Sequence, residues 1–201
     1  MKKSIITVLV LVLLLAAAMP LFARSTYYFT GDSVFSIRAG VDFPAFISFY
    51  KDADRGTVAF SDTHLKLGGL ASLAYQGFIS ERVAIGGELG YVFNYSRSGL
   101  LLTTVPIMVK LSYLPVQTGK FDLALGLNVG GAFIRYNEGK YFAPAASVSV
   151  NPTFYFSDNW GIGVETGLLL TLESYGSKNA KNKASALAGL MPVVLTLTYR
   201  H

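Results

Sequence analysis

The chain has 201 residues, of which 52% are hydrophobic and only 14% charged, with 20 Gly, 12 Tyr and no Cys. So apolar a composition does not suit an ordinary soluble domain, and the lack of Cys excludes disulfides and thiolate metal sites. The formal charge is +5, and +3 once residues 1–23, which hold Lys2 and Lys3 and no acid, are set aside; that is too mild for a nucleic-acid binder.

Residues 1–23 read as a secretory signal: Lys2 and Lys3, an uncharged run from Ile5 to Leu15, then the small-residue exit AAAMPLFA. The cut falls at Ala18 or at Ala23. Residues 24–32 are a short N-terminal segment, and 33–201 form the folded domain. Beyond Ala23 there is no apolar run of about 18 residues, so a helical membrane span has no candidate.

The apolar residues alternate instead, with the period of a strand. In 33–50 the odd positions are Phe35, Ile37, Ala39, Val41, Phe43, Ala45, Ile47 and Phe49, and Ser36, Arg38, Gly40, Asp42 and Ser48 lie between them. The same test predicts strands over 63–79, 82–96, 100–114, 120–136, 140–156, 159–175 and 186–200, eight in all. Their connections alternate between tight turns, such as 80–82 and 157–159, and the longer polar stretches 51–62 and 176–185.

One unit recurs. SERVAIGGELG (80–90) and SDNWGIGVETG (157–167) share Ser, acid, Ile-Gly-x-Glu-x-Gly, and LGLNVG (125–130) is a weaker copy with Asn128 in place of the Glu. Charges fall on the polar strand face: Arg38, Asp42, Lys66, Glu88, Lys110, Asp122, Glu165, Glu173 and Arg200, interspersed with glycines such as Gly40, Gly86, Gly130 and Gly167. The apolar face carries Arg135 alone. A solvated face would hold more charge and less Gly, so the polar face is the cramped interior and the apolar face meets lipid. Backbone groups in hydrocarbon must all be paired, which requires the sheet to close. Aromatics such as Tyr27, Tyr28, Phe29, Trp160 and Tyr199 gather near strand ends, where interfacial girdles belong. The fold class is all-β: a single eight-stranded antiparallel transmembrane barrel, an up-and-down meander following a cleaved signal peptide.

The signal segment, the alternation, the SDNWGIGVE-like turn-strand units and a last strand ending in an aromatic resemble the small eight-stranded outer-membrane barrels: the OmpA transmembrane domain, OmpX and the opacity-type proteins, with OmpW-type barrels as a second possibility. The resemblance covers 33–201. It implies a bacterial outer-membrane location, a periplasmic N-terminus, four loops facing outward, a partnership with membrane lipid and the barrel-insertion machinery, and a salt-bridged lumen. Members commonly end in Phe, whereas here Tyr199 is followed by Arg200 and His201.

The candidate luminal network comprises Arg38, Asp42, Glu88, Lys110 and Glu165. A hairpin centred near Gly99 would set Glu88 directly opposite Lys110. Such charges neutralise one another, because burial unpaired is costly. His64 with Ser61 and Asp62 has the residue types of a hydrolase triad, but the three crowd one polar loop without a nucleophile elbow, so no catalytic residue is assigned. Two His and no Cys leave no metal site, and no cofactor is expected. Lys178, Lys181 and Lys183 in GSKNAKNKAS have no acid beside them and are the candidate loop contacts to anionic headgroups, glycans or host proteins. The expectation is a monomeric, non-enzymatic surface-interaction (adhesin-like) or structural barrel with a plugged lumen. A narrow channel for small solutes is the alternative, and a lipid-modifying enzyme the distant one.

Overall fold

A computed structural model describes residues 28–52, 54, 56–59, 63–136, 139–174 and 185–201. The strands are β1 (Ser33–Ser48), β2 (Thr57–Ala59), β3 (Gly68–Ser80), β4 (Val83–Tyr95), β5 (Leu101–Gln117), β6 (Phe121–Tyr136), β7 (Gly139–Tyr155), β8 (Trp160–Glu173) and β9 (Ala186–Arg200). Each of the long strands pairs antiparallel with its neighbour in sequence, and β1 also pairs with β9 from Val34↔Arg200 to Ser48↔Leu187, closing an eight-stranded barrel. The three-residue β2 is an extra strand inside the first long connection, paired to the outer end of β1 through Phe46↔Ala59 and Ser48↔Thr57. The third long segment also starts later than its alternation predicts, at Gly68 rather than residue 63. Leu65 keeps a lone bridge to Ser96, and Lys66, expected inside, is exposed ahead of the strand.

The apolar residues point outward. Leu73, Tyr75, Leu89, Ile107, Val109, Leu127, Val129, Val148, Ile162 and Leu195 all stand on the outer surface, with Val109 and Val129 paired side by side and each 57% exposed. Fully hiding one such side chain from water is worth about 1.5–3 kcal/mol, so a continuous belt of them needs hydrocarbon around it. Aromatics border the belt. At the inner end Trp160 lies 4.9 Å from Tyr199, which stacks on His201 at 5.6 Å. At the outer end Tyr91, Phe93 and Tyr95 run along β4, and Phe133 and Phe142 meet at 4.9 Å. This is a transmembrane β-barrel in construction, with polar side chains inside.

One irregularity changes what the lumen contains. Up to Pro44↔Leu190 the even positions of β1 face inward, but the next pair is Phe46↔Gly189, so Ala45 is an unpaired extra residue. Pro44 has no N–H to give the ladder, and it lies beyond Asp42↔Gly68, the last pair to β3. The bulge therefore falls where the ladder is already interrupted. It reverses the alternation: Ile47 pairs with the luminal Ala188 and turns inward with Phe49, contrary to the uninterrupted odd-outward pattern. The bulge thus adds apolar side chains to the outer half of the lumen, where Met108, Ile134, Leu169 and Leu190 are also buried beside Asp42, Asn94 and Thr104, whereas the strand pattern alone predicts a polar interior throughout.

Candidate functional site

The four strands that run from the inner to the outer end, β1, β4, β6 and β8, carry equivalent residues at one level. Each reads small–x–polar–x–Gly: Ser36-Ile37-Arg38-Ala39-Gly40, Gly86-Gly87-Glu88-Leu89-Gly90, Gly126-Leu127-Asn128-Val129-Gly130 and Gly163-Val164-Glu165-Thr166-Gly167. The glycine that closes the unit has a steric reason. A Cβ added at Gly40, Gly130 or Gly167 would lie well inside contact distance of the Val193, Ile107 or Val148 carbonyl oxygen of the adjacent strand. With no side chains there, the long polar side chains two residues earlier can reach across the lumen.

They meet in a closed ring. Arg38 Nη1 donates to Glu165 Oε1 at 2.5 Å, and Arg38 Nη2 lies 2.6 Å from Glu88 Oε2. Lys110, from the returning strand β5, donates to Glu88 at 3.5 Å and to Glu165 at 3.3 Å. Asn128 Nδ2 donates to Glu88 Oε2 at 2.9 Å. Two cations and two carboxylates thus bridge one another, and the ring is neutral. Each of the four side chains is at most 10% exposed. An unpaired charge there would face the full cost of desolvation, which the alternating ring removes.

The ring gathers four of the five residues expected to form the network. Glu88 is not directly opposite Lys110, however: Gly86 pairs with Lys110 and Glu88 with Met108. The hairpin is centred one residue earlier than Gly99 suggests, so the ion pair is diagonal. Asp42 stands apart, fully buried, and accepts a hydrogen bond from Asn94 Nδ2 at 3.1 Å. Two turns of the alternation separate it from Arg38 along β1, too far toward the outer end to join the ring.

A second cluster fills the inner end, and its centre is a residue expected in the interfacial girdle. Tyr28 is 2% exposed inside the barrel, stacked on Phe78 at 4.0 Å between ring centres. Its hydroxyl donates to Asp122 Oδ2 at 2.6 Å and lies 2.9 Å from the Tyr155 hydroxyl. Burial, with Tyr155 and Asp122 alongside, holds the Tyr28 phenol well above its usual range, so it stays a donor. The Arg200 guanidinium lies 3.6 Å from the Tyr155 ring centre and 3.9 Å from Asp122, and it donates to the Asp158 and Gly119 carbonyls across the inner mouth. The chain's penultimate residue thereby ties the last strand to two inner turns. A Tyr28→Phe exchange keeps the stack and removes the donor to Asp122; it should lower unfolding free energy by about 1–2 kcal/mol, read from urea titration in vesicles.

The remaining expected sites are placed as follows. His64 is exposed, at a positive φ of 58°, and its carbonyl accepts the Arg97 N–H. Ser61 and Asp62, the signal segment 1–23, and Lys178, Lys181 and Lys183 lie outside the described residues.

A family model matches residues 18–199, so the chain belongs to the family which that model defines. An uncharacterised protein of Borreliella burgdorferi is 26% identical over 151 residues, covering 69% of this chain and 68% of that protein. Among solved structures, the outer-membrane protein OprG of Pseudomonas aeruginosa matches with a TM-score of 0.49 at 11% identity, over 88% of this chain and 98% of its own. Neisserial surface protein A matches with a TM-score of 0.49 at 12% identity, over 85% of this chain and 96% of its own.

Proposed function

We propose that this protein is a surface barrel of the bacterial outer membrane that conducts no solute and works through its outward-facing end. The observation that supports this most is the succession of closures along the lumen. From the inner mouth upward come the Tyr28–Asp122–Tyr155 plug, a space of about 50 Å³, the Arg38–Glu88–Lys110–Glu165 ring, and a gap of about 30 Å³. An apolar layer of Val92, Met108, Ala132, Ala143, Ala145, Leu169 and Leu190 follows. Spaces of that size hold a few water molecules between barriers rather than a continuous column. A working surface is then left at the outer end, where the sequence places Lys178, Lys181 and Lys183 for contact with anionic partners.

A narrow channel is the second reading, favoured by one detail: Lys110 holds its carboxylates at 3.3 and 3.5 Å, more loosely than Arg38 does. Single-channel recording of the refolded mature protein in planar bilayers separates the two. The sealed barrel predicts silence from wild type. Steady openings that change with Glu88→Ala would replace this reading with a pore gated by the ring.

A further inference from the structure

Above the apolar layer the lumen widens into a chamber of about 630 Å³. Ile47, Phe49, Leu65, Leu102, Ile134 and Leu190 line it, and its polar lining residues are the minority: Thr63, Thr104, Thr171, Tyr136, Tyr141 and the charged Glu173. This is the size and chemistry of a small-molecule pocket, which is typically 300–1,000 Å³, mostly apolar, with a few orienting polar groups. Its walls give water few partners for their area, so an apolar ligand gains dispersion contacts there at little cost in lost hydrogen bonds. The chamber is no by-product of the strand pattern. The bulge at Ala45 turns Ile47 and Phe49 into it, while β5, β6 and β9 place Leu102, Ile134, Ala188 and Leu190 at luminal positions that hold Ser, Asn, Gln and Thr in the inner half.

We infer that this chamber is a dead-end pocket for an alkyl chain. The chain inserts from the outer end, its methylenes lie against Phe49, Leu102 and Ile134, and the layer of Met108, Leu169 and Leu190 stops it above the charge ring. The pocket retains such a molecule and does not pass it on. An uncharged hydroxyl head matches the hydroxyls of Thr104 and Thr171 at the wall. The same chemistry has two sources: a free neutral amphiphile arriving from outside, or an acyl chain of a neighbouring lipid.

The test uses the full mature chain in lipid nanodiscs, a dodecanol carrying a photoreactive diazirine, and peptide mapping of the label. Expected is labelling of the segments around Leu102, Ile134, Tyr141 and Ala188, reduced several-fold by excess plain dodecanol. Ala188→Phe, which fills the chamber, should also reduce it several-fold, while label on the outward Val109 and Leu195 and the heat-dependent gel shift stay unchanged. Leu102→Asn is the second variant should the larger side chain prevent folding. A phospholipid with the diazirine in its acyl chain assigns the source: chamber label from it identifies bilayer lipid, and its absence beside alcohol label identifies a free molecule. Label confined to the outward face, or chamber label indifferent to competition and to both variants, overturns the inference. Neither outcome depends on whether the lumen conducts.

Discussion

Replacing Arg38 with Ala is expected to cost about 3–5 kcal/mol of unfolding free energy, the usual penalty for removing one partner of a buried ion pair. Arg38 alone touches both carboxylates at 2.5–2.6 Å, so its loss leaves Glu88 and Glu165 to share Lys110 and gives the ring a net negative charge. The cost is carried by the uncompensated acid rather than by the missing attraction. Arg38→Met combined with Glu165→Gln therefore provides the decisive comparison. That double variant removes one charge of each sign, keeps the Lys110–Glu88 pair and should recover most of the loss. Urea titration in vesicles, followed by the fluorescence of Trp160, the chain's single Trp, reads both variants against the wild type. A loss below about 1 kcal/mol for Arg38→Ala would mean that water reaches and screens the ring as it does a surface pair. The sealed lumen would then be untenable as well, which links this measurement to the bilayer recording.

The ring also marks how far the sequence could be read. Glu88, Asn128 and Glu165 are visible as equivalent places in a repeated unit, and a period of two sets them all on one strand face. That β1 carries the fourth copy is harder to see, because Arg38 replaces the acid and Ser36 the first Gly; the signal left is Gly40, two positions on. Register was legible to within one residue. The direct Glu88–Lys110 pairing fails because the turn at 96–100 is centred on residue 98, and shifting a hairpin centre by one moves a partner by two. The reversal past Ala45 was not legible. Residues 43–47 read Phe-Pro-Ala-Phe-Ile, apolar at both parities, so a period of two assigns no face there, and the pairing across to β9 is what shows that one residue has dropped out of the ladder. Tyr28 was invisible for a related reason: an aromatic beside a strand end suits a lipid interface and a luminal plug equally, and what decides is Asp122, 94 residues away.

Placing an arginine on the outer face separates a membrane barrel from a soluble one by depth. Val129 is 57% exposed on β6, adjacent in sequence to Asn128 of the mid-lumen ring, so it marks the middle of the apolar belt. In a bilayer, Val129→Arg should cost about 2–4 kcal/mol, because the guanidinium must sit in hydrocarbon or draw water and headgroups toward itself. Ile79→Arg makes the same chemical change at an equally exposed position, but one residue from the end of β3 at the inner turn, and should cost only about 0–1 kcal/mol. The contrast between the two carries the argument, since both remove an apolar side chain of similar size and both leave the lumen untouched. Unfolding free energies in vesicles of defined chain length provide the readout, and thinning the bilayer should narrow the gap. Equal and small costs at both depths would place the belt in water. The polar lumen, the bulge and the outer chamber would then have to be explained as parts of a soluble barrel, one that exposes Leu89, Ile107, Val109 and Leu195 with nothing to cover them.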